Sequence, residues 1–346
     1  MSIGIGIIGT GGISQAHAQA YRDLAPAVRL VAVADIDESK AREAATQWGV
    51  ERVFADYREL LALDAVDAVS ICTPTSAHSA PAIAALDAGN HVLVEKPMAA
   101  TTAEARQMVD AADRSGKMLM VEMKWRFMPE LQAARAAIVR GDLGRIYYAE
   151  AMGWQHRGIP GGSFIRRELS GGGALMDNGV YTLDTALYLL GHPRPLTASG
   201  ASANIFGHSP DGHWDPDAFT VEDFGTAFIR LEGGISLFFV HAWASNFTEQ
   251  WQVRIAGNQG GAELRPFGPD PRLRLTHGDY GNLADTTPTT LPEGSTDVGY
   301  AVGRFVTAIR KGETSPIAGE TFLYTNAIFD ALYASARLSR EVSIDL

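Results

Sequence analysis

The chain has 346 residues, 46% of them apolar and 20% charged, which is the composition of a globular protein long enough for two domains. The formal net charge is -11 and there is no run of lysine and arginine, so we expect neither nucleic acid nor an anionic membrane as a partner. The single cysteine, Cys72, excludes an internal disulfide, and no stretch has the ~18–20 apolar residues of a membrane helix, so we expect a cytoplasmic protein.

The first apolar run, Ile3 to Ile8, predicts a buried parallel strand, and its glycines distinguish it from a signal peptide. A glycine-rich turn and a helical pattern follow it. In such a turn the first glycine permits the sharp bend, the second lets a pyrophosphate approach the backbone, and the next amides lie at the positive end of the helix. The pattern predicts a dinucleotide site, although it also fits an ordinary tight turn. The residues concerned are Gly9, Thr10, Gly11, Gly12 and Ile13.

A second apolar run, Val28 to Ala34, ends at Asp35, where an acid would hydrogen-bond the hydroxyls of the adenosine ribose. Asp37 adds a second negative charge. A 2′-phosphate would face two carboxylates and no arginine, so we expect NAD rather than NADP as the cofactor. The alternative for Asp35 is that it caps the following helix.

Apolar runs alternate with helical segments as far as Glu122, which predicts a doubly wound parallel sheet. Right-handed crossovers would bring the ends of its first, fourth and fifth strands together. Thr73, Pro74 and His78 follow the fourth strand, and Glu95 and Lys96 end the fifth. We therefore expect these residues to line one cofactor crevice with the glycine turn, although a lone histidine such as His78 is often a surface or helix-cap residue.

Three segments of this region resemble the glucose-fructose oxidoreductase and inositol dehydrogenase family. They are Gly9-Thr10-Gly11-Gly12, Thr73-Pro74-Thr75-Ser76-Ala77-His78, and Ala88-Gly89-Asn90-His91-Val92-Leu93-Val94-Glu95-Lys96-Pro97. Their order and spacing match over the whole first domain, which we place at residues 1–122 as an N-terminal Rossmann domain. The resemblance implies that Lys96 lies by the nicotinamide and the reacting carbon.

The remainder, residues 123–346, is predicted to be a C-terminal α+β domain for substrate binding and oligomerisation. Its entry, Arg126-Phe127-Met128-Pro129, looks like the crossover of the same family. Short alternating segments after Ala198 predict a large, mainly antiparallel open sheet. Such a sheet offers a flat face for subunit pairing, and the resemblance implies a homodimer or homotetramer.

Several residues of this domain suit a sugar. Trp154 would supply a flat apolar face, and His156 and Arg157 would donate hydrogen bonds to hydroxyl groups, with Phe164 close behind in the sequence. The alternative is a surface loop with Trp154 packed inwards. Arg126 is a candidate for binding substrate or for bracing Glu95. The histidines and aspartates between Gly207 and Ala218 lack the compact spacing of metal ligands, so we expect a solvated loop and no metal.

Three glycines, Gly171 to Gly173, precede a predicted helix that carries Asp177 and Tyr181 one turn apart on one face. Such a pair is often only a buried hydrogen bond. The spacing, however, resembles a helix of the same family in which histidine or tyrosine occupies the position of Tyr181. Tyrosine places the chain in the tyrosine subgroup and away from the inositol-specific members.

These features predict hydride transfer between a secondary alcohol of a sugar or cyclic polyol and a nicotinamide. We expect Tyr181 to act as acid or base, Lys96 to be its electrostatic and proton-relay partner, and Asp177 to position the substrate hydroxyl or Lys96. Lys96 could instead be the direct base. Two alternatives remain: an NAD-dependent glycosidase that oxidises its substrate transiently, and a non-catalytic cofactor-sensing regulator, which would be expected to lack one of these three residues.

Overall fold

The computed structural model describes residues 2–279 and 282–346, which form two compact units. The first unit contains the chain up to Lys124 together with Thr296–Phe322. The second contains Trp125–Ser295 and Leu323–Leu346. This grouping differs from the predicted boundary, 1–122 and 123–346, in assigning residues 296–322 to the first unit. The physical reason is that the helix in this segment packs on the first helix of the chain.

The secondary structure of the described residues is as follows. The strands are β1 (Ile3–Ile8), β2 (Val28–Ala34), β3 (Arg52–Phe54), β4 (Ala68–Ile71), β5 (His91–Glu95), β6 (Leu119–Glu122), β7 (Ile146–Trp154), β8 (Pro195–Ala203), β9 (Phe224–Leu231), β10 (Ile235–Ala242), β11 (Gln250–Gly257), β12 (Gly260–Leu264), β13 (Leu273–Asp279), β14 (Asn282–Thr286) and β15 (Val342–Ser343). The helices are α1 (Ser14–Asp23), α2 (Glu38–Trp48), α3 (Tyr57–Leu61), α4 (Ser79–Asp87), α5 (Thr102–Ser115), α6 (Pro129–Arg140), α7 (Arg167–Ser170), α8 (Val180–Leu190), α9 (Val298–Lys311) and α10 (Leu323–Leu338). Across residues 2–279 and 282–346, no helix is both long enough and apolar enough to span a membrane.

The sheet of the first unit is parallel, with the strand order β3-β2-β1-β4-β5-β6. Strands β1, β4 and β6 are buried along their whole length, because helices cover both faces of a doubly wound sheet. The order reverses between β1 and β4, and ligands of such sheets bind outside the carboxyl ends of the strands at this reversal. The prediction that the ends of β1, β4 and β5 are neighbours is confirmed.

Helix ends in the first unit follow from local side-chain chemistry. Thr101 and Glu104 form a capping box that begins α5, and Gly116 ends it in the left-handed conformation, φ +65°. Helix α9 places an apolar face on α1 through residues such as Val302 and Phe305, which are fully buried. The core of this unit therefore includes residues from two distant parts of the sequence.

The sheet of the second unit has the order β14-β13-β12-β11-β7-β10-β9-β8-β15 among the described residues. Its neighbours are antiparallel except for β7 and β10, which run parallel. Strands β9 and β10 are joined through Glu232–Gly234, where Gly233 has φ +77°, so the predicted hairpin is present. Alternate residues of β7 and β9 are buried, because helices α8 and α10 pack against one face of the sheet. The predicted fold class, a Rossmann sheet plus a mainly antiparallel open sheet, is confirmed.

Candidate active site

The glycine turn of the first unit has the space and the polarity that a dinucleotide needs. Gly9 has φ +90°, and a Cβ atom there would lie 2.7 Å from the backbone nitrogen of Thr73, so glycine is required. Above Gly11 and Gly12 a Cβ atom would meet nothing within 4 Å. Among the residues that the structure describes, no side chain caps the start of α1 after Ile13, so the positive end of this helix can meet a ligand. These features fit a diphosphate group.

Asp35 connects the glycine turn to the end of β2. Its Oδ2 accepts hydrogen bonds from the backbone nitrogen of Thr10, at 2.7 Å, and from Thr10 Oγ1, at 2.9 Å. Its Oδ1 accepts a bond of 2.9 Å from the backbone nitrogen of Asp37. The cap of α2 is Asp37, whose carboxylate accepts from Ser39 and Lys40, so the structure does not use Asp35 as the helix cap. A ribose-binding role for Asp35 stays a prediction.

His78 is neither a surface residue nor a side-chain cap. It is 1% exposed, its Nε2 lies 2.9 Å from the carbonyl oxygen of Thr73, and its Nδ1 lies 3.0 Å from that of Pro97. Burial lowers the pKa of His78, so the neutral ring donates to one of these carbonyls at a time. His78 therefore links Thr73, which precedes Pro74 in the turn after β4, to Pro97, which follows Lys96.

Lys96 follows the last residue of β5, and a buried network lies beside it. The Glu95 carboxylate is 2.8 Å from Nε2 of His17, and its second oxygen accepts a bond of 3.3 Å from the backbone nitrogen of Lys96. Glu95 is 7% exposed and His17 is fully buried. The carboxylate of Glu95 is bonded to His17, and the predicted contact of Glu95 with the cofactor stays a prediction. The sequence analysis missed His17, although it lies on the buried stripe of α1 with Ser14 and Tyr21.

The predicted sugar-binding residues of the second unit lie around the end of β7. The Trp154 ring is stacked on Phe224, with centroids 6.0 Å apart, and meets the edge of Phe247 at 5.0 Å. Arg157 donates to the carbonyl of Ser245, at 2.6 Å, and to Oδ1 of Asn246, at 3.0 Å. His156 is exposed, and Phe164 is 44% exposed. Arg157 thus holds the segment that carries Phe247, a residue the sequence analysis did not single out.

Arg126 has a different partner from either one predicted. Its Nε donates to Asp184 Oδ2 at 2.9 Å and its Nη2 donates to Oδ1 at 2.6 Å, in a bidentate pair. Both residues are buried, at 4% and 1% exposure, and the guanidinium carbon lies 5.4 Å from the centre of the Tyr188 ring. This ion pair joins the start of the second unit to α8, and the role predicted for Arg126 at the substrate or beside Glu95 stays a prediction.

Asp177 lies in a π-helical turn, Leu175–Gly179, which runs directly into α8. The wider turn alters the spacing predicted for Asp177 and Tyr181, and such turns are frequent at functional sites. Asp177 Oδ2 accepts a 3.0 Å bond from Nε1 of Trp243. The Tyr181 ring packs on Trp125, with centroids 4.7 Å apart. Both predicted groups therefore project from one turn of helix and are oriented by tryptophans.

A buried carboxylate holds the start of the π turn. Glu222 Oε1 accepts bonds from the backbone nitrogens of Gly173, at 2.9 Å, and Leu175, at 3.2 Å, and from the hydroxyl of Tyr333, at 2.9 Å. Burial raises the pKa of Glu222. A Cβ atom on Gly173 would lie 1.9 Å from the carbonyl oxygen of Glu222, so the close approach predicted for the three glycines is present. The sequence analysis missed Glu222, since its contacts lie far along the chain.

Comparison with known proteins yields matches over both units. A family model described as an oxidoreductase family with an NAD-binding Rossmann fold matches residues 3–123, and the GFO/IDH/MocA C-terminal domain matches residues 131–263. D-glucoside 3-dehydrogenase of Escherichia coli (strain K12) is 36% identical over 271 residues, 76% of this chain and 77% of that protein. D-apiose dehydrogenase of Paraburkholderia graminis is 28% identical and covers 98% of this chain and 88% of its own. The crystal structure of an oxidoreductase domain protein from Kribbella flavida superposes with a TM-score of 0.86 at 25% identity, over 100% of both chains.

Proposed function

The chain belongs to the GFO/IDH/MocA family of NAD(P)-dependent oxidoreductases, and on this premise we propose that it transfers hydride between a secondary alcohol of a sugar or cyclic polyol and the nicotinamide. The observation that carries the proposal is Lys96 at the carboxyl end of β5, beside the strand-order reversal and the uncapped glycine turn. The likeness to D-glucoside 3-dehydrogenase supports a sugar as the substrate.

The proposed cofactor is NAD rather than NADP. Asp35 and Asp37 both carry carboxylates at the end of β2, and a 2′-phosphate placed there would be repelled by two negative charges. The ribose hydroxyls of NAD, in contrast, can donate to a carboxylate. When bound, the nicotinamide supplies the hydride acceptor, and the protein supplies orientation and proton transfer.

Proton transfer is assigned to three side chains. Tyr181, as a tyrosinate, takes the proton of the substrate hydroxyl as hydride leaves the carbon. Its own phenolic proton passes to solvent beforehand with Lys96 as the relay, and the positive charge of Lys96 stabilises the tyrosinate. Asp177 positions the hydroxyl, a role that suits a carboxylate with one oxygen already oriented by Trp243. Lys96 as the direct base is the alternative assignment, and loss of turnover in Lys96→Ala is expected under both.

The sugar itself is proposed to lie against the aromatic and polar side chains at the end of β7. Trp154 and Phe247 offer apolar ring surface, and Asn246 and His156 offer polar groups beside it. A flat apolar surface with polar groups at its margin is what the faces and hydroxyls of a sugar require. Arg157 serves this site by holding Ser245 and Asn246 in place.

We further propose that a second copy of the chain covers the open face of the large sheet. Phe228 and Phe238 are opposite one another on that face and are only half-buried. Beyond Phe238 the same row continues with Glu150 and Arg254, which form an ion pair of 3.2 Å. An apolar strip with a charged border is suited to a self-complementary interface about a two-fold axis.

A substrate screen tests the proposed function. Sugars and cyclic polyols are offered with NAD and, in parallel, with NADP, and formation of reduced cofactor is followed by absorbance. We expect reduction of NAD by at least one sugar. Release from an aryl glycoside without net reduction would instead indicate an NAD-dependent glycosidase. Tight binding of cofactor with no turnover of any sugar would indicate a cofactor-sensing regulator.

The variant Lys96→Ala tests the assignment of the proton-handling residues. We expect turnover to fall by on the order of 100-fold or more, because acid–base groups contribute that much, while NAD still binds. Lys311→Ala is the matched control, because its side chain is 63% exposed and lies on α9. Turnover and cofactor binding are measured for both. Wild-type turnover in Lys96→Ala would refute the assignment.

A further inference from the structure

Two buried carboxyl groups lie side by side next to Lys96. Glu95 ends β5 and Glu122 ends β6, and the two are partners in the register of these parallel strands. Register partners in adjacent strands point to the same face of a sheet. Glu95 is 7% exposed and Glu122 is 1% exposed. Two like charges so close together and so far from water cannot both be ionised without a large penalty.

The negative charge of this pair resides on Glu95, because Glu95 has the partners that stabilise it. Nε2 of His17 lies 2.8 Å from one oxygen, and the backbone nitrogen of Lys96 donates to the other at 3.3 Å. Burial would raise the pKa of Glu95, but the bond and the charge of His17 outweigh it and hold the pKa below its ordinary value. Nδ1 of His17 in turn meets Ser70 Oγ at 3.0 Å, which fixes the ring.

Glu122 lacks such partners. Its Oε1 has no hydrogen-bond partner among residues 2–279 and 282–346. Burial, and secondly the charge of Glu95, raise the pKa of Glu122 to about 8, against the opposing effects of His17, Lys124 and Lys96. These groups come from β5, from α1 and from the chain that follows each strand. Glu122 is therefore a protonated acid at neutral pH.

We propose that Glu122 is a positioning residue, a neutral acid that leaves Glu95 as the only ionised member of the buried carboxyl pair beside Lys96, and that its ionisation limits turnover on the alkaline side. An ionised Glu122 would place a second negative charge next to Lys96. That charge weakens the positive potential with which Lys96 stabilises a tyrosinate. It also holds the proton on the ammonium group of Lys96, so that less free amine is available to act as a base. Turnover falls under either assignment of Lys96. This inference rests on the proposed function of Lys96.

Infrared spectroscopy of the whole protein with bound NAD tests the protonation state without any turnover. We expect the carbonyl stretch of a buried carboxylic acid below the pKa of Glu122 and its disappearance above it, with a midpoint of about 8. The band is expected to be absent from Glu122→Gln. It is expected to persist in Glu222→Gln, which removes the other buried carboxyl with a raised pKa. A wild-type spectrum with no such titrating band would overturn the proposal.

The pH profile of turnover tests the positioning role. We expect the wild type to lose turnover through an ionisation near 8, and Glu122→Gln to lack that ionisation while KM for the sugar is unchanged. Glu122→Asp keeps an acid and is expected to restore the ionisation, and the exposed Glu51→Gln is expected to behave as wild type. The same profile in Glu122→Gln as in the wild type would overturn the proposal. If no sugar is turned over, the proposed function fails, and the infrared titration still decides the state of the pair.

Discussion

At the scale of single residues, Asp35 serves two purposes that a substitution would separate. Its carboxylate accepts hydrogen bonds from Thr10 and Asp37, so it braces the glycine turn against the end of β2. The same carboxylate carries the charge that we propose selects NAD. Asp37, two residues later, is engaged as the cap of α2. Both acids therefore contribute charge at the end of β2, but only Asp35 is bonded to the glycine turn, whereas Asp37 is bonded to α2.

We expect Asp35→Asn to reduce affinity for NAD by about 10–100-fold, because a hydrogen bond to a charged group contributes about 1.5–3 kcal/mol. NADP affinity is expected to fall less or to rise, since one repelling charge is removed. Binding of both cofactors is measured by titration. Asp37→Asn is measured alongside: asparagine caps α2 about as well as aspartate, so we expect nearly unchanged stability and NAD affinity, with a gain only in affinity for NADP. Equal losses for NAD and NADP in Asp35→Asn would contradict the proposed selectivity.

Glu122 makes the stability of the protein depend on pH. A buried acid with a raised pKa favours the folded state only while it is protonated. Its contribution is therefore complete below the ordinary pKa of 4.5 and is lost as the pH rises through about 8. We expect Glu122→Gln to remove a slope of at most about 1.4 kcal/mol per pH unit within that range. Urea unfolding at several pH values measures it, with Glu51→Gln as the exposed control. An unchanged slope in Glu122→Gln would show that Glu122 is already ionised.

At the scale of secondary structure, the π turn Leu175–Gly179 is the element on which the second unit's candidate site depends. Glu222 holds the start of this turn through two backbone amides. Asp177 lies within the turn, and Tyr181 lies in the first turn of α8 directly after it. Gly173 allows the chain to pass close enough for those bonds to form. A substitution at Gly173 would therefore shift the backbone of this turn and with it the carboxylate of Asp177.

We expect Gly173→Ala to destabilise the protein by about 3 kcal/mol or more, because the added methyl group would overlap a backbone carbonyl at 1.9 Å. Turnover is expected to fall with it. Gly303→Ala is the matched control, since the added group there meets nothing within 4 Å, inside α9. It should stabilise the helix by about 0.5–1 kcal/mol. Thermal unfolding of both variants is compared, and similar melting temperatures would refute the steric explanation.

Local patterns made much of this architecture predictable, and long-range contacts made the rest unpredictable. Short apolar runs identified β1 and β5, and two adjacent glycines identified the hairpin between β9 and β10. The π turn was predicted as an ordinary helix, because widening a turn by one residue leaves no mark on residue types. The partner of Arg126 is Asp184, 58 positions away, and no spacing rule connects them. His17 was missed for the same reason, since its partner Glu95 is 78 positions away.

At the scale of the whole molecule, the open sheet face of the second unit is the surface through which we propose that copies of the chain assemble. Side chains on that face alternate with those that pack under α8 and α10, and Phe228 and Phe238 lie on it only half-buried. The charged row from Glu150 through Arg254 to Glu263 lies beside them. The proposed interface thus combines an apolar area with charged side chains that already form ion pairs with one another.

We expect Phe228→Glu to convert an oligomer into a monomer, because a buried unpaired carboxylate at the interface is strongly unfavourable. Sedimentation velocity measures the change, and binding of NAD should persist because the first unit is untouched. Val139→Glu is the control, since Val139 lies on α6 and is already 68% exposed. The same sedimentation coefficient in Phe228→Glu and the wild type would place the interface elsewhere or rule it out.

The assignment of α9 to the first unit has a consequence for synthesis on the ribosome. The described chain passes from one unit to the other after Lys124, Ser295 and Phe322. Helix α1 is synthesised well before Val298–Lys311, the helix that packs against it. At roughly 5–20 residues per second, about 15–55 seconds pass between the synthesis of α1 and that of α9. The first unit therefore cannot complete its core until α9 has been made, so we expect the part of α1 that meets α9 to be exposed during that interval.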